Sequence, residues 1–148
     1  MTRIRVAIEL DAPPERVWQV VEPIERHIDW MADAVAIRFE TDRTRGVGTR
    51  FVCDTRVGPL TLTDQMEITE WRPNEAMGVR HVGLVTGSGV FTLDPIDLGR
   101  RTRFTWTEDL RFPWFLGGRL GELVGGRLVM GAIWRRNLAR LARLVDAA

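Results

Sequence analysis

From Arg3 to Trp30 the chain reads RIRVAIELDAPPERVWQVVEPIERHIDW. Ile4, Val6, Ile8 and Leu10 alternate with Arg3, Arg5 and Glu9, the period of a strand with one buried face. Asp11 to Pro14 stops that strand. Proline is tolerated in the first turn of a helix, and Glu15 suits its positive end, so a short amphipathic helix carrying Val17, Trp18 and Val21 follows. Pro23 separates it from a second short helix that ends near Trp30. The opposite end of the chain, from Trp114 to Val145, has one long helical pattern, and everything between reads as strands and turns. This order predicts an α+β fold: a curved antiparallel sheet of about seven strands, two short helices after the first strand, and a long closing helix gripped by the sheet.

The turns fix an expected register. Strand two presents Val35, Ile37 and Phe39 inward. Strand three, from about Thr49 to Val57, turns at Gly58-Pro59 into strand four, Leu60 to Trp71. Arg72 to Glu75, Gly87-Ser88 and Leu98-Gly99 mark the later turns, and the last strand runs from Thr102 to Leu110. Pairing Val57 with Leu60 and Trp71 with Ala76 sets Phe51 opposite Met66, Ile68 opposite Val79 and Leu93 opposite Phe104, all apolar. Two inward rows then cross the sheet. One is Ile37, Cys53, Asp64, Gly83, Phe91 and Trp106; the other is Phe39, Phe51, Met66, His81, Leu93 and Phe104.

Polar side chains on this apolar face are the candidates for function. Asp64 falls opposite Cys53 and diagonal to His81, and Glu108 is inward by parity, opposite Gly89. A buried carboxylate is paired, protonated or reached by water. Asp64 and His81 are therefore the candidate catalytic pair, because imidazole titrates near neutral pH and a neighbouring carboxylate raises its pKa. A structural polar pair in a wet cavity explains the same residues. Cys53 is read as a small buried hydrophobe lining that cavity, since nothing marks its thiol as ionised. His27, Asp29 and His81 lie on different elements without a ligand spacing, so no metal is expected.

The element order, with the strings IRVAIELDAPPERVWQVV, ITEWRP and NLARLARLVD, resembles the START-like, or SRPBCC, superfamily. These are the helix-grip domains of polyketide cyclases, lipid carriers and birch-pollen-type allergens. The resemblance spans nearly the whole chain, read as one domain over residues 1–148. It implies a cavity between sheet and closing helix, with Met130, Trp134 and Asn137 on the helical wall and Trp18 and Trp30 near the small helices. Trp30, Met130, Trp134 and Asn137, with the sheet residues Phe51, Cys53, Met66, Phe91, Trp106 and Glu108, make up the expected ligand-binding set. Leu116, Leu120, Leu123, Met130, Trp134, Leu138, Leu141 and Val145 share one face of the closing helix at helical spacing. Arg127 shares that face by phase. Arg135, Arg136, Arg140 and Arg143 lie off it.

Composition narrows the classes. The chain has 148 residues, 45% of them hydrophobic and 28% charged, with a net charge of +1. These values fit a soluble globular domain and give no reason to expect nucleic acid as a partner. One cysteine excludes an internal disulfide. The start reads as a strand and not as a signal peptide, so the cytoplasm is the expected compartment. Phe112 to Trp134 is long and apolar enough to span a bilayer, but Arg119, Glu122 and Arg127 interrupt it, which argues against an integral membrane segment. Glycines 117, 118, 121, 125 and 126 in the same stretch suggest either a mobile lid at the cavity mouth or close packing.

Three functions compete. A binding protein for a small apolar molecule (a lipid, polyketide or isoprenoid-like compound) needs only an apolar cavity with a few polar groups. The resemblance implies a second, a polyketide aromatase/cyclase or dehydratase. Family cyclases commonly use cavity arginine and hydroxyl residues, whereas this chain has no tyrosine. Only Arg119 and Arg127 have a claim to the interior. A protein-interaction module is the third. No cofactor is expected, and the sequence leaves a homodimer open.

Overall fold

A computed structural model of the chain describes residues 2–111 and 128–148. Strand β1 (Thr2–Leu10) leads into helix α1 (Pro14–Val21) and a 3-10 helix, Ile24–Asp29. Six strands follow: β2 (Ala34–Phe39), β3 (Arg50–Val57), β4 (Leu60–Arg72), β5 (Ala76–Val82), β6 (Thr86–Ile96) and β7 (Arg101–Arg111). Helix α2 (Gly131–Ala147) closes the described chain. The expected beginning of that helix at Trp114, its glycines and Leu116, Arg119, Leu120, Glu122, Leu123 and Arg127 lie outside the described residues. Among the described residues, no helix is long and apolar enough to cross a membrane.

All seven strands form one antiparallel sheet in the order β1-β7-β6-β5-β4-β3-β2. Consecutive strands make every neighbour pair except β1 with β7, which brings the first strand beside the last. Thr102 Oγ1 pins the exit from β1 by donating to the Ala12 carbonyl at 2.8 Å. Helix α2 packs against β1 and α1. Arg16 reaches from α1 to the Val145 carbonyl at 3.3 Å, placing a cation near the negative end of α2. The fully buried Trp30 anchors the core beside Phe91, Phe104 and Trp106, with ring centroids 5.6, 6.2 and 5.9 Å away.

The β3–β4 register is the expected one, with Val57 opposite Leu60, Cys53 opposite Asp64 and Phe51 opposite Met66. Leu93 also faces Phe104, and Gly89 faces Glu108. Three expectations need correction. Val35 is 47% exposed, because an irregularity between Ala34 and Ala36 turns it outward and buries Ala34 instead. Ala76 pairs with Arg72 and not with Trp71. A second irregularity between Ile68 and Glu70 then restores the expected Ile68–Val79 pair. Gly87-Ser88 is not a turn, since Val82 pairs with Thr86 and the reversal lies at residues 83–85. Consequently His81 faces Gly87 instead of Leu93, and Phe91 faces Met77 instead of Gly83.

Candidate functional site

That last correction places the polar residues. His81 on β5 faces Gly87 on β6, and Glu108 on β7 faces Gly89 on β6. Two strand spacings separate His81 from Glu108, about 10 Å of backbone. Gly89 of β6 leaves room for the Glu108 side chain to lie over that strand. A Cβ at Gly89 would stand 2.7 Å from Glu108 Cδ, and one at Gly87 would stand 1.9 Å from the Asp109 carbonyl oxygen. On the other side, Asp64 approaches from β4, diagonally across the ladder in which Met66 faces His81.

His81 therefore bridges two acids. Its Nδ1 lies 2.5 Å from Asp64 Oδ2 and its Nε2 lies 2.8 Å from Glu108 Oε2. The three side chains are 8%, 13% and 9% exposed for His81, Asp64 and Glu108. Burial opposes a charge on the ring, but hydrogen bonds and charge from Asp64 and Glu108 outweigh it and push the His81 pKa up to about 10. The ring is thus an imidazolium at neutral pH, donating from both nitrogens. Trp106 completes the array, its Nε1–H donating to Glu108 Oε1 at 2.9 Å. Trp134 of α2 stacks on Trp106 with centroids 4.4 Å apart and planes inclined by 13°. One line of contacts thus runs from the closing helix to β4.

This array edges a cavity of about 310 Å³ lined by sheet residues and, on the helical side, by Val129, Met130 and Trp134. Of the residues expected from sequence, Phe51, Cys53, Asp64, Met66, His81, Phe91, Trp106, Glu108, Met130 and Trp134 line it. Trp30 and Asn137 do not. Trp30 is spent on core packing. Asn137 joins α2 to the loop before β2, accepting from the Ala32 amide at 3.0 Å and donating to Asp33 Oδ1 at 2.7 Å. Trp18 is likewise core, edge-on to Trp71 at 5.3 Å. Sequence reasoning missed Asp33, Leu62, Leu84 and Val85 in the lining. It also missed the Glu108–His81 bond, whose signal was Gly89, the bare position opposite Glu108 on β6.

Two further groups in the wall, His27 and Cys53, are uncharged near neutral pH. His27 donates Nε2–H to the Val21 carbonyl at 2.7 Å, and its complete burial lowers its pKa to about 4, which leaves it neutral. Burial raises the Cys53 thiol to about 11, so it is protonated and a poor nucleophile. Among the described residues no group of three acids, histidines or cysteines is arranged to hold a metal ion.

The profile of a family described as polyketide cyclase / dehydrase and lipid transport matches residues 1–146. The chain belongs to this family. No curated protein matches the sequence. Solved structures give the fold: a START superfamily protein from Mycobacterium smegmatis superposes with a TM-score of 0.78 at 11% identity, covering 99% of both chains. A Thermus thermophilus protein gives 0.75 at 22% identity, covering 98% of this chain and 97% of its own. The Zhui aromatase/cyclase of a Streptomyces species gives 0.69 at 17% identity, covering 97% and 90%. Such a fold hosts several chemistries, so function rests on the cavity itself.

Proposed function

We propose that this START-like domain binds a small apolar or aromatic molecule, of lipid, polyketide or isoprenoid-like type, in the cavity between the sheet and α2. The observation that carries this reading is a cavity of about 310 Å³ walled mainly by Phe51, Met66, Phe91, Trp106, Met130 and Trp134, with Asp64, His81 and Glu108 among its polar lining groups. Cavities of this size and lining suit one small ligand. We place the domain in the cytoplasm, acting as a monomer or a homodimer without a cofactor. Native mass spectrometry of the protein as purified tests the reading. A co-purifying apolar compound, or quenching of Trp106 or Trp134 emission when such a compound is added, is the expected result. A protein that neither carries nor takes up any apolar compound would contradict it.

A second reading is favoured by one feature, an imidazolium beside a carboxylate at the edge of the cavity. There Asp64 and His81 would serve a polyketide aromatase/cyclase or dehydratase; one of the structural neighbours is named an aromatase/cyclase. His81 already donates both protons, so Asp64 would be the group that accepts one from substrate. Turnover of a polyketide-type substrate, lost in both Asp64→Asn and His81→Ala, would support this reading. A carrier would show changes in affinity alone.

A further inference from the structure

Three segments meet at one rim of the cavity. The start of β4 contributes Leu60, the β5–β6 reversal Leu84 and the entry to α2 Val129; each lines the cavity, yet they are 42%, 53% and 43% exposed. Val82 and Leu128, their neighbours in the chain, are exposed without lining it. Five of the nine exposed large apolar residues among those described thus belong to these segments. Single exposed apolar residues need no explanation, but an apolar surface continuous with an apolar cavity does. Two cations flank it. Arg56 precedes Val57, which faces Leu60 across the β3–β4 turn, and Arg111 faces Thr86 at the end of the β5–β6 reversal. Both are exposed, and neither forms an ion pair among the described residues. Arg3, Arg38 and Arg80, elsewhere on the sheet, are each held by an acid.

We infer that this rim docks on an anionic lipid bilayer, with the cavity mouth turned toward the membrane. The inference rests on the ligand-binding reading above and names the surface at which its apolar ligand is exchanged. Apolar side chains on projecting turns enter the boundary between headgroups and acyl chains, and unpaired cations beside them meet anionic headgroups. The strength of such binding follows the apolar area buried plus that attraction. A peptide partner would lie along one groove or strand edge, whereas these side chains come from three separate segments. A mouth seated at the bilayer also lets an apolar ligand pass to the cavity without crossing water, where its exposure is disfavoured.

Co-sedimentation of the full chain with vesicles tests this, and N-phenyl-1-naphthylamine fluorescence without vesicles reports the cavity separately. Vesicles of phosphatidylcholine with about 30% phosphatidylglycerol should bind about thirtyfold more tightly than phosphatidylcholine alone, the factor that two arginines supply. Arg56→Gln with Arg111→Gln should bring the two vesicle types within about threefold of each other. Val82→Asp with Leu128→Asp should weaken capture by anionic vesicles at least about tenfold while naphthylamine uptake stays unchanged, since neither residue lines the cavity. Uptake of the naphthylamine without capture by either vesicle would overturn the docking inference alone. So would capture that the Val82 and Leu128 substitutions leave intact, or a dimer in sedimentation velocity that those substitutions dissociate in place of vesicle capture. Failure to take up the naphthylamine would overturn the cavity-binding reading and the docking inference with it.

Discussion

Two acids sit one rung apart on the β3–β4 ladder, Asp54 opposite Thr63 and Asp64 opposite Cys53, and they face opposite sides of the sheet. On the convex side, Arg38 Nη1 lies 2.7 Å from Asp54 Oδ2, with side chains 57% and 25% exposed. On the concave side, His81 lies 2.5 Å from Asp64, with side chains 8% and 13% exposed. The distances are alike and the physical situations are not. Water and salt screen the convex pair, whose partners can separate with little loss. The concave pair is held where each charge depends on the other, so removing one strands the rest. Arg3–Asp109 and Arg80–Glu67 repeat the convex pattern on the exposed side. The concave array is therefore the place where substitution should be felt.

The sharpest break is His81→Ala. It leaves Asp64 and Glu108 facing each other without the ring between them, and denaturant unfolding should show a loss of about 3–5 kcal/mol. A loss no larger than that of a surface substitution would mean that water already screens the array. Trp134→Ala comes next, since it removes the ring that stacks on Trp106 and opens one wall of the cavity. A loss of about 3 kcal/mol is expected if the ring is mainly core. A clearly smaller loss with altered binding of an apolar probe would assign it to the cavity wall instead.

The dependence on pH separates the two faces further. His81 has a folded pKa of about 10, above the roughly 6.5 of an unfolded chain. Its contribution to stability is thus complete below about pH 6.5 and is lost as pH rises through about 10. Unfolding midpoints measured across that window should fall, and Asp64→Asn, which removes a carboxylate from the ring, should shift the fall to lower pH. The smallest effect belongs to Asp54→Asn on the convex face. It should leave the unfolding midpoint within experimental scatter.

The convex and concave faces were also unequal in what sequence could disclose. Parity along β3, β4 and β7 assigned Asp64 and Glu108 to the concave side, because Gly58-Pro59 carries unmistakable turn chemistry and fixes the register of Cys53 against Asp64. The β5–β6 hairpin was opaque. Its reversal at residues 83–85 has no proline, asparagine or aspartate, whereas Gly87, Ser88 and Gly89 look like a turn. Glycine has two meanings in a strand region: a reversal, or room for a neighbour's side chain or backbone. Here it is room, and a local pattern cannot distinguish the two without knowing what stands across the sheet. The same ambiguity hid the bond between His81 and Glu108. Val35 was misplaced for a related reason, since one irregularity at Ala34–Ala36 flips parity without any proline or glycine to announce it. Asn137 borders the apolar face of α2 by phase, but only the three-dimensional path of residues 31–33 shows that it holds a loop and not a ligand.

An imidazolium bridges two buried carboxylates at the edge of an apolar cavity. Nitrogen-detected NMR titration of the His81 ring tests it most directly. The ring should carry both protons at pH 7 and titrate at about 10, while His27 stays neutral down to about pH 4. A His81 ring that is neutral at pH 7, titrating at or below about 6.5, would contradict the account.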